Sequence, residues 1–581
     1  MATKNPARTR NSKSDSAAAG KSSEGGKSSE GGKSPHEVKD GVRETVESIV
    51  IAFVLAFLFR TFEAEAFVIP TGSMAPTLMG QHKDLKCDKC GFPYQVGASQ
   101  EVPPENMSSA REREDHIHGN RVVAFTCPNC RYEMRFGKGE PDGLEPPPSY
   151  KGDRIIVGKS AYEVGNPKRW DVAVFKYPEQ AKINFIKRLV GLPEETVVIH
   201  YGDIFTTDEE LPHGPLPAEA AAQMKRQGTL SIARKPPAKV QAMLQAVYDN
   251  DFQLPEPFAS SFPPRWSRAS DSRAEAWREE DEGKTFRYDG QSDQDEWIGY
   301  QHLVPSEADW QAAAEGKGSE KALRIEPKLI SDFYAYNTGR PARSINVDPP
   351  EGNWVGDLSL GCQVKTESGE GEVLLALVEG GVIFQCRIEL ASGQTALSIS
   401  ADPSFKASVE TPVRGAGTHQ LEFANVDDKL YLWVDGKSME FDGRYGPLDN
   451  LVPNDDDQAP ARLGSRGAEL TFSHLRLRRD VYYTDPHRHA RDGFGGPPGG
   501  NRWEQDAAAY WLGPDEFLML GDNSPQSKDS RLWDEREYFV SRELMIGKAL
   551  FIYWPHGLDH LPGTDVWFPL FPNFGRMGFV R

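Results

Sequence analysis

Between Leu358 and Val434 the apolar residues fall on every second position, in short runs closed by turn residues. They are Leu358, Leu360, Cys362 and Val364; Phe384, Cys386, Ile388 and Leu390; Leu421 and Phe423; and Leu430, Leu432 and Val434 ahead of Asp435-Gly436. A period of two places each set on one face of an extended strand. Such runs, spaced by turn signals, predict a β-sandwich over residues 330–480. Shorter apolar runs at 154–157, 172–175, 183–190 and 196–199, punctuated by Gly, Pro and Asn, read as a β meander. The fold expected is mainly β. At 581 residues the chain exceeds one hydrophobic core and should divide into several domains. With 38% apolar residues and a mean hydropathy of -0.57 it is not a multi-span membrane protein. A formal net charge of -19 argues against nucleic acid as a partner, because phosphate binding requires clustered Lys and Arg.

One apolar run does not alternate. Every residue from Ile49 to Phe59 is apolar, and Arg60 ends the run. Crossing about 30 Å of hydrocarbon takes roughly 20 residues, so a transmembrane helix here must borrow from its flanks and is expected over residues 39–66. The competing reading is a buried or interfacial helix. Residues 1–38 are a Ser, Gly, Lys and Glu near-repeat with too little apolar area to offset ordering entropy, and are expected to be disordered. The run starts far from Met1 and no small-residue cleavage site follows it, which argues against a cleavable leader. Counting only Lys and Arg near the run, the positive-inside asymmetry puts the N-terminus in the cytoplasm and the bulk of the chain on the exported side.

Four of the six cysteines form two Cys-x-x-Cys pairs, Cys87/Cys90 and Cys127/Cys130, with about 36 residues between them. Gly91 after the first pair suits a tight turn whose amides face the sulfurs, and a four-cysteine structural zinc ribbon over residues 85–135 is the expected outcome. Disulfides are the competing reading in an oxidising compartment, and His116 and His118 leave a mixed ligand set open. Cys362 and Cys386 are expected in the sandwich core. Residues 205–329 are charged, irregular and proline-containing, and suggest no fold.

Two segments carry reactive side chains. A serine hydroxyl is a weak nucleophile at neutral pH and needs a base within hydrogen-bond reach. Ser73 lies in Val68-Ile-Pro-Thr-Gly-Ser-Met-Ala-Pro-Thr77, just after the apolar run. Lysine serves as that base if burial among apolar groups disfavours its charged form. In the strand around Ile183, Phe185, Lys187 and Leu189 the lysine shares a face with three apolar side chains, while Arg188 points the other way and cannot be deprotonated. Taken alone, Lys187 reads first as an edge lysine that snorkels to solvent.

A third segment, Gly521-Asp-Asn-Ser-Pro-Gln-Ser-Lys-Asp-Ser-Arg531, completes an ordered set. A Ser-Met-x-Pro-Thr turn after an apolar helix, a Lys-Arg-x-Val-Gly-Leu-Pro strand and a Gly-Asp-Asn-(x)3-Ser-x-Asp-Ser-Arg loop, in this order, resemble the type I signal peptidases, Ser/Lys proteases of bacterial membranes. The resemblance implies Ser73 as nucleophile and Lys187 as general base. It implies an oxyanion hole from the Ser73 N–H and the Thr71 hydroxyl, a position where the family often has Ser. Ser527 would orient the lysine amine, and Arg188, Asp522, Asp529 and Arg531 would brace the site. The chain departs from the commoner loop at Ser524-Pro525-Gln526, where many relatives have Arg-Asp-Asn. Val68 and Met74 are expected to line the cleft, and no cofactor is implied for catalysis.

The implied substrates are signal peptides of preproteins cut after small residues, at a phospholipid membrane and near the secretion translocon. The catalytic fold would be assembled from residues 67–84, 148–204 and 511–581, with 481–510 as linker. The phrase from His419 to Gly436 resembles the inner strands of laminin-G or concanavalin-like jelly rolls, which implies a glycan or protein ligand for that domain. The rival functional reading is an inactive membrane-anchored scaffold that binds through this domain.

Overall fold

The computed structural model describes residues 44–54, 64–104, 107–137, 145–270, 272–273, 276–318, 321–344, 352–448, 451–484, 507–534, 536–560 and 566–581. The expected disordered tail, residues 55–63 of the expected membrane span and most of the expected linker at 485–506 lie outside them. The chain forms two units, Met1–Arg60 and Thr61–Arg581. In the first, residues 44–54 are helical, with Ile49, Val50, Ile51, Phe53 and Val54 exposed. Among the described residues no helix is long and apolar enough to cross a membrane. The expectation of helix through residue 66 is corrected by strand Ala64–Val68, which pairs antiparallel with Arg154–Gly158. Its Ala-Glu-Ala-Phe-Val sequence alternates, and that edge supplies the ladder partners the residues need.

The second unit is mainly β, as the periodicity implies. Its first sheet runs Ala64–Val68, Arg154–Gly158, Met545–Trp554, Val172–Tyr177, Gln180–Gly191, Glu516–Leu520 and Val540–Ser541. The meander expected from the upstream runs is therefore interrupted. Val172–Tyr177 and Gln180–Gly191 form a hairpin, but Met545–Trp554 from the far end of the chain lies between Arg154–Gly158 and Val172–Tyr177. A second sheet, ordered Gly214–Leu216, Ala507–Trp511, Thr196–His200, Asp203–Thr207 and Ser231–Ile232, adds further strands from both sides of the long insertion.

That insertion is dominated by two large antiparallel sheets packed on one core. Leu358, Leu360, Cys362 and Val364 meet Phe384, Cys386, Ile388 and Leu390 there, together with Leu421, Phe423, Leu430, Leu432 and Val434. Every alternating position named from the sequence is in this cluster, and both cysteines are core residues. Residues 205–329, which suggested no fold, supply strands to both sheets. Gln245–Asp249 and Thr285–Asp289 pair with Glu469–Arg479, while Glu296–Tyr300 pairs with Ala461–Arg466. Their runs are only three to five residues long and are rich in Trp and Tyr, so periodicity has too few repeats to reveal them.

The sandwich and the sheet that holds Ser231–Ile232 join around one buried cation. Lys235 follows strand Ser231–Ile232, and its Nζ lies 2.5 Å from Asp427 and 2.8 Å from Asp480, both in the sandwich half of the chain. The Lys235 N–H donates to Asp427 at 2.9 Å, and Tyr431 Oη donates to the Lys235 carbonyl at 2.8 Å. Burying three charges is tolerated because the lysine is paired with both carboxylates, and Asp427 also accepts hydrogen bonds from it.

Candidate active site

The serine turn follows strand Ala64–Val68. Thr71 is extended and exposed, Gly72–Met74 makes one 3-10 turn, and the Ala75 N–H closes it on the Gly72 carbonyl at 3.1 Å. Ser73 is buried. Met74 packs with Leu78, Ile155 and Val174 in the core, so the expectation that it lines a cleft is corrected; Val68 is exposed.

Lys187 sits on strand Gln180–Gly191, held between Val172–Tyr177 and Glu516–Leu520. Its Nζ donates to Ser73 Oγ at 2.6 Å. Only 4% of Lys187 is exposed, and burial lowers its pKa to about 8. The Asp529 and Asp522 charges oppose that drop, and Arg531 reinforces it. About a tenth of the amine is then neutral at pH 7, against less than a thousandth for an ordinary lysine. Phe185 lies 5.4 Å from Nζ by ring centroid, whereas Ile183 on the same face is exposed. The apolar shield thus begins at Phe185.

Arg188, on the opposite face, is as buried as its neighbour. Nε and Nη2 each reach an Asp522 carboxylate oxygen at 2.6 Å, and Nη1 donates to the Trp170 carbonyl at 2.8 Å. Thr77 also donates to Asp522, so one carboxylate ties the serine turn, the lysine strand and the 521–531 loop together. Asp529 accepts from the Gly521 N–H at 2.9 Å and from Arg531 at 2.8 and 2.7 Å. Ser524, where the loop departs from its commoner form, accepts from Arg531 Nη1 at 2.6 Å and from the Thr484 N–H at 2.9 Å. The substituted residue is itself part of the bracing.

Ser527 is brought to the site but not into the bond the resemblance implies. Its Oγ is buried and has no hydrogen-bond partner among the described residues. Gly521 lets it approach: a Cβ there would fall 2.2 Å from Ser527 Oγ and 2.5 Å from the Ser73 carbonyl. A buried hydroxyl without a partner costs free energy unless something arrives to use it.

Three further residues at the serine turn escaped the sequence reading. The Asn523 N–H donates to the Ser73 carbonyl and its Nδ2 to the Gly72 carbonyl, both at 3.0 Å. Asn523 and Asn337 exchange reciprocal amide bonds of 2.7 and 2.8 Å. Tyr336 packs so tightly on Gly72 that a Cβ at Gly72 would lie 2.2 Å from its ring. Asn523 stood inside the recognised loop, but Tyr336 and Asn337 lie on a 3-10 turn, Ala335–Thr338, within residues expected to belong to the sandwich. The one local signal was turn chemistry, Asn-Thr-Gly after two tyrosines.

The paired cysteines converge as their spacing suggests. Cys87 and Cys90 close the hairpin of His82–Lys86 and Pro93–Gly97, and Cys127 and Cys130 lie between Val122–Thr126 and Glu133–Arg135. All four sulfurs lie within 4.8 Å of one another, with Cys87–Cys130 at 3.5 Å and Cys90–Cys127 at 3.7 Å. A tetrahedron with zinc–sulfur bonds of about 2.3 Å has edges of about 3.8 Å, so the set fits zinc, and all four cysteines are free thiols. His116 and His118 are elsewhere, on helix Ala110–Asn120; His116 meets the Gln100 carbonyl and His118 is exposed. The mixed ligand set is not assembled. Arg340–Pro341, just after the Asn337 turn, pairs with Val122–Thr126 and joins this small domain to the serine turn.

Comparison with known proteins points the same way. The family model described as "Signal peptidase, peptidase S26" matches residues 145–260 and 482–554, which contain Lys187 and the 521–531 loop. Signal peptidase I of Pseudomonas aeruginosa is 44% identical over 69 residues, 10% of this chain and 24% of that protein. Signal peptidase I of Rickettsia bellii is 24% identical over 165 residues, 28% of this chain and 39% of that protein. A carbohydrate-binding module of Bacillus subtilis superposes with a TM-score of 0.22 at 10% identity, covering 37% of this chain and 94% of that one. The chain thus spans about a quarter to two fifths of the length of these curated relatives. It is similar to signal peptidases I, and the family model covers the segments that carry Lys187 and the 521–531 loop.

Proposed function

We propose that this protein is a membrane-bound serine endopeptidase that removes signal peptides from exported preproteins with a Ser73/Lys187 dyad. The observation that carries this reading is the 2.6 Å contact between Ser73 Oγ and a lysine amine whose pKa burial has lowered to about 8. With the amine neutral, the hydroxyl donates to it and Oγ attacks the carbonyl carbon after a small residue. The developing oxyanion is met by the Ser73 N–H and the Thr71 hydroxyl. Collapse breaks the C–N bond, and the proton on Lys187 passes to the leaving amine. Water then gives a proton to Lys187 and attacks the Ser73 ester; the C–Oγ bond breaks, Lys187 returns the proton to Ser73 Oγ, and the leader peptide leaves as an acid. Ser527 would bond to the neutral amine in the substrate-bound state, and Asn523, Asn337 and Tyr336 hold the serine turn from behind.

The apolar segment that begins at Ile49 would attach the enzyme to the bilayer upstream of Ala64, and the four cysteines would hold a structural zinc. The rival reading of an inactive binding scaffold is disfavoured because the dyad and its bracing are intact. The test is cleavage of a preprotein in detergent or liposomes. Wild type should cut at the leader junction, with Ser73→Ala and Lys187→Ala inactive. Full activity in either variant would overturn the mechanism, and an inert wild type would favour the scaffold.

A further inference from the structure

Two histidines outside the dyad meet in the core. His82 Nε2 lies 3.2 Å from His556 Nδ1, across 474 residues, and both rings are buried. His82 Nδ1 is 2.6 Å from the Gly80 carbonyl, which fixes a proton there, whereas His556 Nε2, 2.5 Å from Asp84 Oδ2, makes no hydrogen bond among the described residues. His82 therefore turns its Nε2 lone pair toward His556 and Asp84. A proton on His556 or a metal ion can meet that lone pair and the carboxylate.

The geometry separates these two. The ring centroids are 4.7 Å apart with planes at 77°, closer than a collinear N–H···N bond of 3.2 Å would put them. The two rings therefore do not face each other along a collinear N–H···N line. Two imidazole nitrogens on a tetrahedral zinc, with bonds of about 2.0 Å, are about 3.3 Å apart. An outer N–H fixed by a backbone carbonyl, as at His82, is a usual support for a metal-bound histidine. Asp84 Oδ1 is 3.8 Å from His82 Nε2, and the three donor atoms lie within 4.8 Å of one another. Asp84 is partly exposed, which leaves a path for an ion and water to enter. Arg576, the other charge bearing on His82, is held by Asp153 at 2.9 Å.

We propose that His82, His556 and Asp84 form a second divalent-cation site, with the nitrogen and oxygen donors that suit zinc, in addition to the four-cysteine cluster. It would brace the serine turn, because the Gly80 carbonyl that fixes His82 belongs to a residue packed directly on the Thr71–Gly72 peptide. The test is cobalt(II) titration of the full-length, metal-stripped protein. Cobalt on thiolates shows a charge-transfer band that cobalt on imidazole and carboxylate lacks. Wild type should take up one equivalent without that band, and His556→Gln and His82→Gln should lose this equivalent alone while keeping any thiolate-bound metal. If wild type binds cobalt only with the thiolate signature, the histidines share a proton and the proposal is overturned, whether or not the variants fold. Retention of the thiolate-free equivalent in both variants would overturn it equally.

Discussion

Lys187 carries two opposing demands that can be separated experimentally. The depression of its pKa from 10.5 to about 8 is a stability cost on the order of 3 kcal/mol when the amine is charged. The folded state therefore binds fewer protons than the unfolded chain between about pH 8 and 10.5, and this cost is relieved as pH rises through that window. Lys187→Met should abolish cleavage yet raise unfolding stability at pH 6 by about 1–3 kcal/mol, less whatever the lost bond to Ser73 supplied; urea melts measure this. A variant that is both inactive and less stable would show that the lysine is structural. For the wild type, kcat/KM should rise with pH and level off above about 8, since the free enzyme's base must be neutral.

At the scale of elements, the serine turn is clasped from two sides by segments that sequence assigned to different domains. The 521–531 loop and the Ala335–Thr338 turn meet in the reciprocal amide pair of Asn523 and Asn337. Asn337→Ala should lower kcat about 3- to 30-fold with little change in KM, because it loosens the turn without touching the cleft, and Asn337→Asp should not restore it. A rise in KM alone would assign Asn337 to substrate binding. Asn337 was not legible because its partner is 186 residues away and its own neighbours signal only a turn. Lys187 was legible because strand parity is written in adjacent residues.

At the scale of the whole molecule, the insertions are built into the catalytic body. Lys235 is the hinge pin between the sheet that holds Ser231–Ile232 and the sandwich, and Lys235→Met should cost about 3–5 kcal/mol by leaving Asp427 and Asp480 without their cation. Urea unfolding should show that loss, while Asp427→Asn together with Asp480→Asn and Lys235→Met should recover part of it. The cysteine domain is coupled to the serine turn through Arg340–Pro341 and Tyr336. With zinc held on the four cysteines as proposed, a chelator should therefore lower the melting temperature and the peptidase rate together. Activity that survives complete metal loss would uncouple the two.

The sequence by itself determined the mainly β fold, the inward faces of the sandwich strands and the convergence of the two Cys-x-x-Cys pairs. Each depends on a period or spacing confined to a few neighbouring residues, which the backbone converts directly into a shared face or a common turn. Tertiary structure alone decided that strands Gln245–Asp249 and Glu296–Tyr300 complete the sandwich, that strand rather than helix begins at Ala64, and that Ser527 Oγ has no hydrogen-bond partner among the described residues. It alone joined Asn337 to Asn523, Lys235 to Asp427 and Asp480, and His82 to His556. Those contacts link positions far apart in the chain, where the close-packed interior, and no local pattern, selects which polar groups must satisfy one another.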